Sequence, residues 1–249
     1  MQIVIGNIEL FKNFFDVIYD MASESVELQL FPDRMVCAVL DRGRTRFFHV
    51  EYDRSFFDVY QVDDVESITV YVDDFHKLLK SCNRKDVLYL EVNDPYLVTK
   101  IMSENGSTRV FEFVLPSDFI DSPNPPKLDL PVSVECDVGD LKQSSKDISL
   151  IGSDLFRLVT GEDNLTLMTS DDIPTKYANV IDVEYEKNDV GSSANFNVDY
   201  INQMLKFSKI NKNVELNFGS DLPLFYTFRD EFLGVVVNGM IAPRISEEE

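Results

Sequence analysis

The stretch Val72-Asp73-Asp74-Phe75-His76-Lys77-Leu78-Leu79-Lys80 returns in altered form as Val198-Asp199-Tyr200-Ile201-Asn202-Gln203-Met204-Leu205-Lys206. A short basic turn follows each copy, Asn83-Arg84-Lys85 after the first and Asn211-Lys212-Asn213 after the second. Each turn leads into a segment of alternating apolar residues, at 87–91 and at 214–218. A repeat whose period is half the chain predicts two similar domains that use their helices in the same way.

Length and composition favour a soluble, intracellular protein with two domains. The 249 residues are enough for two cores of about 100–150 residues each. No stretch approaches the roughly 20 apolar residues of a membrane span, and the N-terminus lacks the pattern of a signal peptide. The widely spaced Cys37, Cys82 and Cys136 are expected to be buried, reduced thiols.

The segment 116–131 carries several prolines and no steady period, so it is predicted to be an extended connector between domains 1–115 and 132–249. Each half is expected to be a strand-rich α+β domain with its helices on one side of the sheet. Apolar periodicity predicts helices at 7–22, 73–82 (with Asp73 as its cap), 137–151 and 199–209. Alternation and turn residues predict strands at 3–5, 26–30, 35–40, 46–52, 57–60, 67–72, 86–92, 97–102, 107–115, 132–136, 155–160, 164–169, 177–185, 194–198, 213–218, 223–229 and 232–240.

The net charge of −21 argues, as an average, against nucleic-acid binding. Three of the four predicted helices nevertheless carry bases on the face opposite their apolar residues, and clustered lysines make a local positive surface on an acidic protein. Recurrence in both halves favours a phosphate-binding face over a merely solvated one. The first helix differs, since Glu9, Asp16 and Asp20 outweigh Lys12. No base-reading motif is present, so any contact of these lysines with nucleic acid is expected to be with phosphates and to be sequence-independent.

Catalytic chemistry is not indicated. Neither His49 nor His76 has a Ser or Cys neighbour that suggests a nucleophile. The aspartate pairs at 63–64, 73–74 and 171–172 match turns and helix caps better than a metal site. We therefore expect no catalytic residue, metal or cofactor, and a metal-dependent hydrolase is the least favoured interpretation.

Several features together resemble the DNA polymerase sliding clamp of archaea and eukaryotes, the proliferating cell nuclear antigen family. They are the duplicated helix–strand units, the proline-bearing connector, Leu40-Asp41 before a turn, the helix end at 146–152, the turn at 221–224 and the ending Ile241-Ala242-Pro243-Arg244-Ile245. The likeness covers essentially the whole chain, and the length and short acidic tail look archaeal.

The resemblance implies a ring of three chains joined head to tail, with helices lining the hole and β-sheets forming the outer wall. A strand at 107–115 would pair with a strand at 176–185 of the next chain. The interface residues carried over are Arg109, Phe111, Phe113, Tyr177, Asn179 and Ile181. The bases expected to face DNA are Lys12, Lys77, Lys80, Arg84, Lys142, Lys146, Lys206, Lys209 and Lys212.

The family also implies an apolar pocket for short peptide motifs. The pocket residues carried over are Leu40, Arg44, Phe47, Ile120, Pro126, Leu128, Pro223, Ile241, Ala242, Pro243, Arg244 and Ile245. The implied function is a non-enzymatic processivity clamp on double-stranded DNA, and its partners would be DNA polymerase, a clamp loader, a flap nuclease and a ligase, with no membrane. The alternative is a subunit of a heteromeric clamp-like ring that acts as a scaffold. The expected location is the cytoplasm, at the nucleoid, if the source is archaeal, and the nucleus if it is eukaryotic.

Overall fold

The computed structural model describes residues 1–22, 24–117, 122–169 and 174–244, and the chain divides into two compact units. Unit 1 comprises Met1–Arg42, Phe48–Pro125 and Asp230–Val236, and unit 2 comprises Gly43–Phe47, Pro126–Arg229 and Val237–Glu249. Each unit is thus built mainly from one half of the chain. The fold is α+β, as predicted.

Unit 1 has helices α1 (Ile8–Met21) and α2 (Val72–Lys80) and a short 3₁₀ helix at Arg54–Phe56. One sheet has the strand order β5-β1-β7-β8-β9, and the other strands follow in the order β4-β3-β2-β6. The strands are β1 (Gln2–Ile5), β2 (Ser25–Leu30), β3 (Arg34–Leu40), β4 (Arg46–Asp53), β5 (Val59–Gln61), β6 (Glu66–Tyr71), β7 (Val87–Asn93), β8 (Tyr96–Met102) and β9 (Thr108–Val114).

Unit 2 has helices α3 (Val138–Leu150) and α4 (Val198–Met204), the latter continued by a 3₁₀ helix at Leu205–Lys209. Its strands follow in the orders β13-β12-β11-β15 and β14-β10-β16-β17-β18. The strands are β10 (Val132–Asp137), β11 (Leu155–Thr160), β12 (Asn164–Met168), β13 (Ala178–Asp182), β14 (Tyr185–Lys187), β15 (Ser193–Asn197), β16 (Asn213–Phe218), β17 (Leu224–Asp230) and β18 (Val235–Ile241).

The core of unit 1 is aromatic and fixes both helices against the sheets. Phe11, Phe14 and Phe15 on α1 are at most 1% exposed. The Phe14 ring centroid lies 5.3 Å from that of Phe48, and the Phe15 centroid lies 4.8 Å from that of Phe75 on α2. Aromatic pairs at such distances add to the free energy of burial. The apolar faces of α1 and α2 are therefore turned inward, and their charged faces are turned outward.

In the core of unit 2 the helices are anchored by aliphatic residues. On α3 the buried residues include Leu141 and Ile148, at i, i+7 spacing. On α4 they include Ile201 and Met204, at i, i+3 spacing. Such spacing places the apolar side chains on one helix face and leaves the polar ones on the other. The lysines of α3 consequently lie on the exposed side.

Four local expectations are corrected by the structure. The helix predicted at 199–209 ends at Met204 and tightens into a 3₁₀ turn. The α2 cap is Tyr71 and not Asp73, which lies in the first turn. The strand predicted at 177–185 is two strands, β13 and β14, that pair with different neighbours. The strand predicted at 232–240 begins at Val235, because Gly234 takes a positive φ of 63° in the preceding turn. No helix in the described part of the chain is long and apolar enough to cross a membrane.

Candidate nucleic-acid interface and partner surfaces

The bases of unit 1 predicted to face DNA lie on α1, on α2 and in the turn after α2, and each has a partner within the unit. Lys77 donates to the Asp73 carboxylate one turn earlier, which raises the pKa of Lys77. The Arg84 guanidinium lies 3.2 Å from Glu9 on α1. Lys12 donates to the backbone oxygen of Cys82 at 2.8 Å, just past the C-terminal end of α2. A cation at a helix C-terminus also complements the helix dipole.

Asp16 is the centre of a small polar network between the two helices of unit 1. Its Oδ1 lies 2.7 Å from Nε2 of His76 and 3.2 Å from the Lys80 ammonium. The Tyr19 ring stacks on the His76 ring with centroids 4.1 Å apart. Burial alone would raise the pKa of Asp16, but the hydrogen bonds from His76 and Lys80 outweigh it and the pKa is lowered. Asp16 is therefore a carboxylate at neutral pH.

The bases of unit 2 have different surroundings. Lys142 on α3 donates to the hydroxyl of Ser208, a neutral partner. Lys146 is exposed, and within the described ranges its ammonium has no hydrogen-bond or ion-pair partner. Lys206, Lys209 and Lys212 are exposed along and just beyond the 3₁₀ turn. Asp147 on α3 accepts from the amide of Gln143 at 2.9 and 3.0 Å.

Strand β9 of unit 1, on which the predicted interface residues lie, is an edge strand. Among the strands in the described chain its one neighbour is β8, with Phe111 opposite Thr99. Val110 and Val114 are 55% and 59% exposed, which is unusual for valine in a seven-residue strand. Phe111 stacks on Phe113, and Phe113 meets Phe75 of α2. The edge thus combines free backbone groups with apolar side chains.

Arg109 holds the start of this edge to the end of α2. Its guanidinium donates to the hydroxyl and the backbone oxygen of Ser81 at 3.2 and 3.1 Å and lies 3.5 Å from the buried carboxylate of Asp86. A cavity of about 220 Å³ opens behind β9, lined by Val70, Tyr71, Asp74, Phe75, Leu97, Glu112, Phe113, Val114 and Leu115.

Strand β13 of unit 2 carries the predicted interface residues Asn179 and Ile181, with Tyr177 directly before it, and is also an edge strand. Its one neighbour among the described strands is β12. Val180 is 60% exposed, whereas Ile181 is turned into the core. Tyr177 and Asn179 donate to the hydroxyl of Ser144 on α3 at 3.3 and 3.1 Å. The family resemblance singled out Ile181, but the apolar side chain exposed at the surface is that of Val180.

The opposite edge of that sheet, β15, is covered by its own unit. The backbone of Arg244 donates to the oxygen of Asn195 at 2.7 Å, and the backbone of Asp221 donates to the oxygen of Ser193 at 3.1 Å. The Arg244 guanidinium also lies 2.6 Å from Asp154. Native sheets commonly cover edges in this way to prevent unwanted pairing. The open edge of this sheet is therefore β13.

The predicted peptide pocket is only partly brought together. In unit 2, Phe47 and Ile241 are buried, Pro223, Ala242 and Pro243 are half-buried, and Arg44 and Arg244 are exposed. The Ala242 backbone donates to Thr45 at 2.7 Å, which ties the tail to the loop that carries Arg44 at a φ of 53°. Leu40, which belongs to unit 1, is 38% exposed. Ile120 and Ile245 lie outside the described residues.

An open cavity of about 570 Å³ lies in unit 2 beneath residues 126–130 of the connector. Pro126 and Leu128, both predicted, line one side, and Leu128 is 54% exposed. The other lining residues were missed by sequence analysis: Lys127, Asp129, Leu130, Lys187, Asn217, Phe225 and Thr227. The alternation of residues along β17 could have indicated two of them, because Phe225 and Thr227 lie on the strand face opposite the buried Leu224 and Tyr226.

In the described part of the chain the three cysteine thiols are buried and the two histidines are half-buried. No cluster of three or more His, Cys, Asp or Glu side chains there could hold a metal ion. Burial raises the pKa of the Cys82 thiol to about 11 and that of Cys136 to about 12, and it raises the pKa of Cys37 further. Burial lowers the pKa of His49, against an opposing effect of Glu51.

Comparison with known proteins gives a consistent result along almost the entire chain. No family model matches. The chain is 28% identical over 243 residues to the DNA polymerase sliding clamp of Methanobrevibacter smithii, covering 96% of each protein. It is 27% identical over 240 residues to that of Methanothermobacter thermautotrophicus, again covering 96% of each. The crystal structure of PCNA from Thermococcus kodakaraensis superposes with a TM-score of 0.84 at 19% identity, covering 98% of this chain and 99% of that one.

Proposed function

We propose that this chain, which belongs with the DNA polymerase sliding clamps in fold and in sequence along nearly its whole length, closes into a homotrimeric ring around duplex DNA. The ring tethers DNA polymerase and other replication and repair proteins and carries out no reaction itself. We assign residues 1–115 to an N-terminal clamp domain, 116–131 to a connector and 132–249 to a C-terminal clamp domain.

The observation that supports ring closure best is the pair of open sheet edges. β9 in unit 1 and β13 in unit 2 each lack a second strand neighbour within the described residues, and each exposes valine. Two different edges on one chain make a heterologous contact, which forms a ring when the rotation between copies closes. The edge β15, which would compete for pairing, is already covered by the C-terminal tail.

Loose attraction for DNA is supported by the exposed lysines of the helices. Their contacts would be made to phosphates, which are alike along the duplex, so the protein is free to slide. The rest of the chain is acidic, with a net charge of −21, and repels DNA from other surfaces. The ring is held by topology, and electrostatic attraction has only to keep the duplex in place.

Partner recognition is supported by the cavity beneath residues 126–130. It combines an apolar floor and wall, Phe225 and Leu128, with the charged rim residues Lys127 and Lys187. An aromatic side chain of a short peptide fits an apolar cavity of this kind, and extended backbone along the connector gives strand-like pairing. We assign polymerase, clamp loader, flap nuclease and ligase peptides to this region.

Light scattering with edge variants tests ring closure. The pure chain is expected to have three times the mass of a 28.6 kDa monomer at micromolar concentration. Val180→Lys on β13 and Val110→Lys on β9 should each give monomers, because a buried unpaired ammonium is costly at an interface. Val190→Lys is the matched control, since Val190 is 59% exposed and lies outside both strands.

A monomeric wild-type chain, or a Val180→Lys variant with unchanged mass, contradicts this assembly. A pure chain that stays monomeric and assembles only when mixed with a related subunit supports the heteromeric ring instead. Circular dichroism of each variant separates loss of assembly from loss of folding.

A further inference from the structure

The helices of the two units carry opposite net charge. In unit 1, α1 and α2 together with the turn that reaches Arg84 contain five carboxylates and four bases. In unit 2, α3, α4, the 3₁₀ turn and the residues that reach Lys212 contain three carboxylates and five bases. The repeat in sequence therefore does not extend to the charge that each half presents.

Two of the three carboxylates on α1 are paired with bases on or just after α2. Asp16 contacts Lys80 at 3.2 Å, and Glu9 contacts Arg84 at 3.2 Å. The side chains of Lys80 and Arg84 are 58% and 85% exposed, so both are otherwise available to a ligand. Asp16 also accepts from His76, which holds the carboxylate in position beside Lys80.

Two carboxylates on or directly before α3 are engaged by neutral groups. Asp147 accepts from the Gln143 amide, and Asp137, directly before α3, accepts from the backbone of Gly139. Lys142 contacts a hydroxyl and Lys146 has no partner in the described ranges. The positive charge of α3 is thus not compensated by a carboxylate within hydrogen-bond distance of these two lysines.

Phosphate binding depends on this difference. A lysine contributes to DNA affinity by replacing counterions on the phosphates. When a lysine already pairs with a fixed carboxylate, the approaching phosphate must compete for the ammonium and is repelled by the carboxylate. Exposed ion pairs contribute only about 0.2–1 kcal/mol to stability, so the pairing weakens the contact rather than forbidding it.

We infer that Glu9 and Asp16 act as built-in counter-charges that weaken phosphate binding by Lys80 and Arg84, so that Lys142 and Lys146 of α3 contribute more to holding the DNA than these two bases do. This deepens the proposed function and rests on it. The consequence is a weaker total attraction than the nine predicted bases suggest, which favours sliding. Removing the two carboxylates converts unit 1 into a second phosphate-binding surface.

The test measures the dissociation constant for a linear duplex as a function of salt, for the assembled protein. Glu9→Gln with Asp16→Asn removes both charges and keeps the shapes and hydrogen-bond acceptors. The control is Glu51→Gln with Glu91→Gln, which changes the net charge equally at ion pairs with Arg34 and Lys100 on strands. The first variant should bind more tightly, and its slope of log K against log salt should steepen by about 0.9 for each base released.

A slope and an affinity equal to those of the control overturn the inference. Two further double variants distinguish failure of this inference from failure of the proposed function. Lys142→Ala with Lys146→Ala should weaken DNA binding more than Lys80→Ala with Arg84→Ala does. Equal weakening by both pairs refutes the asymmetry and leaves DNA binding in place, whereas no weakening by either pair refutes the assignment of these helices to DNA.

Discussion

Gly239 on β18 lies directly against the ring of Tyr226 on β17. A Cβ on Gly239 would come within 2.0 Å of Cζ and 2.2 Å of the hydroxyl oxygen of that ring. The Tyr226 ring is 5% exposed and its centroid lies 6.2 Å from that of Phe228. The absence of a side chain at Gly239 therefore leaves the space in the unit 2 core that the Tyr226 ring fills.

We predict that Gly239→Ala lowers the free energy of unfolding by about 1–3 kcal/mol, because overpacking displaces a well-packed ring. Urea unfolding measures the loss. Gly43→Ala is the control, since its Cβ would meet only Thr45 at an ordinary 3.5 Å. Tyr226→Leu should relieve the clash in the double variant. Equal stability of the Gly239→Ala and Gly43→Ala proteins contradicts the close contact.

The half-buried His49 should make the free energy of unfolding depend on pH. Its pKa is lowered from 6.5 by burial, with a smaller opposing effect of Glu51, so the unfolded chain takes up a proton before the folded protein does. The free energy of unfolding should therefore fall as the pH drops below about 6.5, until the folded-state pKa is reached. His49→Gln should remove this part of the pH dependence between pH 7 and 5. An identical slope in the variant shows that other groups cause it.

The three thiols should be unreactive in the folded protein. Cys37, Cys82 and Cys136 are at most 4% exposed, and burial raises the pKa of Cys82 to about 11 and that of Cys136 to about 12. Because the thiolate is the reactive form, labelling by a thiol reagent at pH 8 should be slow until urea unfolds the chain. Fast labelling of one thiol under native conditions would show that its surroundings open locally.

The cavity beneath residues 126–130 predicts which residues a partner peptide needs. Phe225→Asp should weaken binding of a polymerase-derived peptide by about 30-fold or more, the loss expected for a central apolar contact of about 2 kcal/mol. Isothermal titration calorimetry measures the affinity, and light scattering checks that assembly is unchanged. Phe232→Asp is the control, since Phe232 is 96% exposed and does not line the cavity. Equal affinity of the two variants argues against this pocket.

Helices were predictable from sequence because their apolar periodicity is local. The first helix was expected at 7–22 and is Ile8–Met21, with Phe14 and Ile18 buried as its spacing requires. The end of α4 was not predictable, since residues 205–209 keep the apolar spacing while their backbone tightens. Periodicity reports which face is buried, and it does not distinguish an α-helix from a 3₁₀ turn.

The exposure of a candidate site residue could be predicted from sequence only where it depends on the residue's position within one helix. Lys77 and Lys80 are on the outer face of α2, as expected, and Arg84 is exposed in the turn that follows it. The Lys77–Asp73 pair lies within α2 at i, i+4 spacing, so the helix sequence contains it. The pairing of Lys80 with Asp16 and of Arg84 with Glu9 depends on how α1 packs against α2, which the sequence of either helix does not contain. The same holds for Val180, whose exposure follows from the position of β13 at the edge of its sheet.

Encirclement of DNA is tested most directly by loading the protein with a compatible clamp loader onto a nicked circular duplex and then cutting the circle once. The wild-type protein should stay on the circle at a salt concentration that disrupts phosphate contacts, and it should be lost when the DNA becomes linear, because a ring slides off a free end. Val180→Lys should not be retained on either form. Equal retention of the wild-type protein on circular and linear DNA, or its loss from the intact circle in salt, would contradict a closed ring around the duplex.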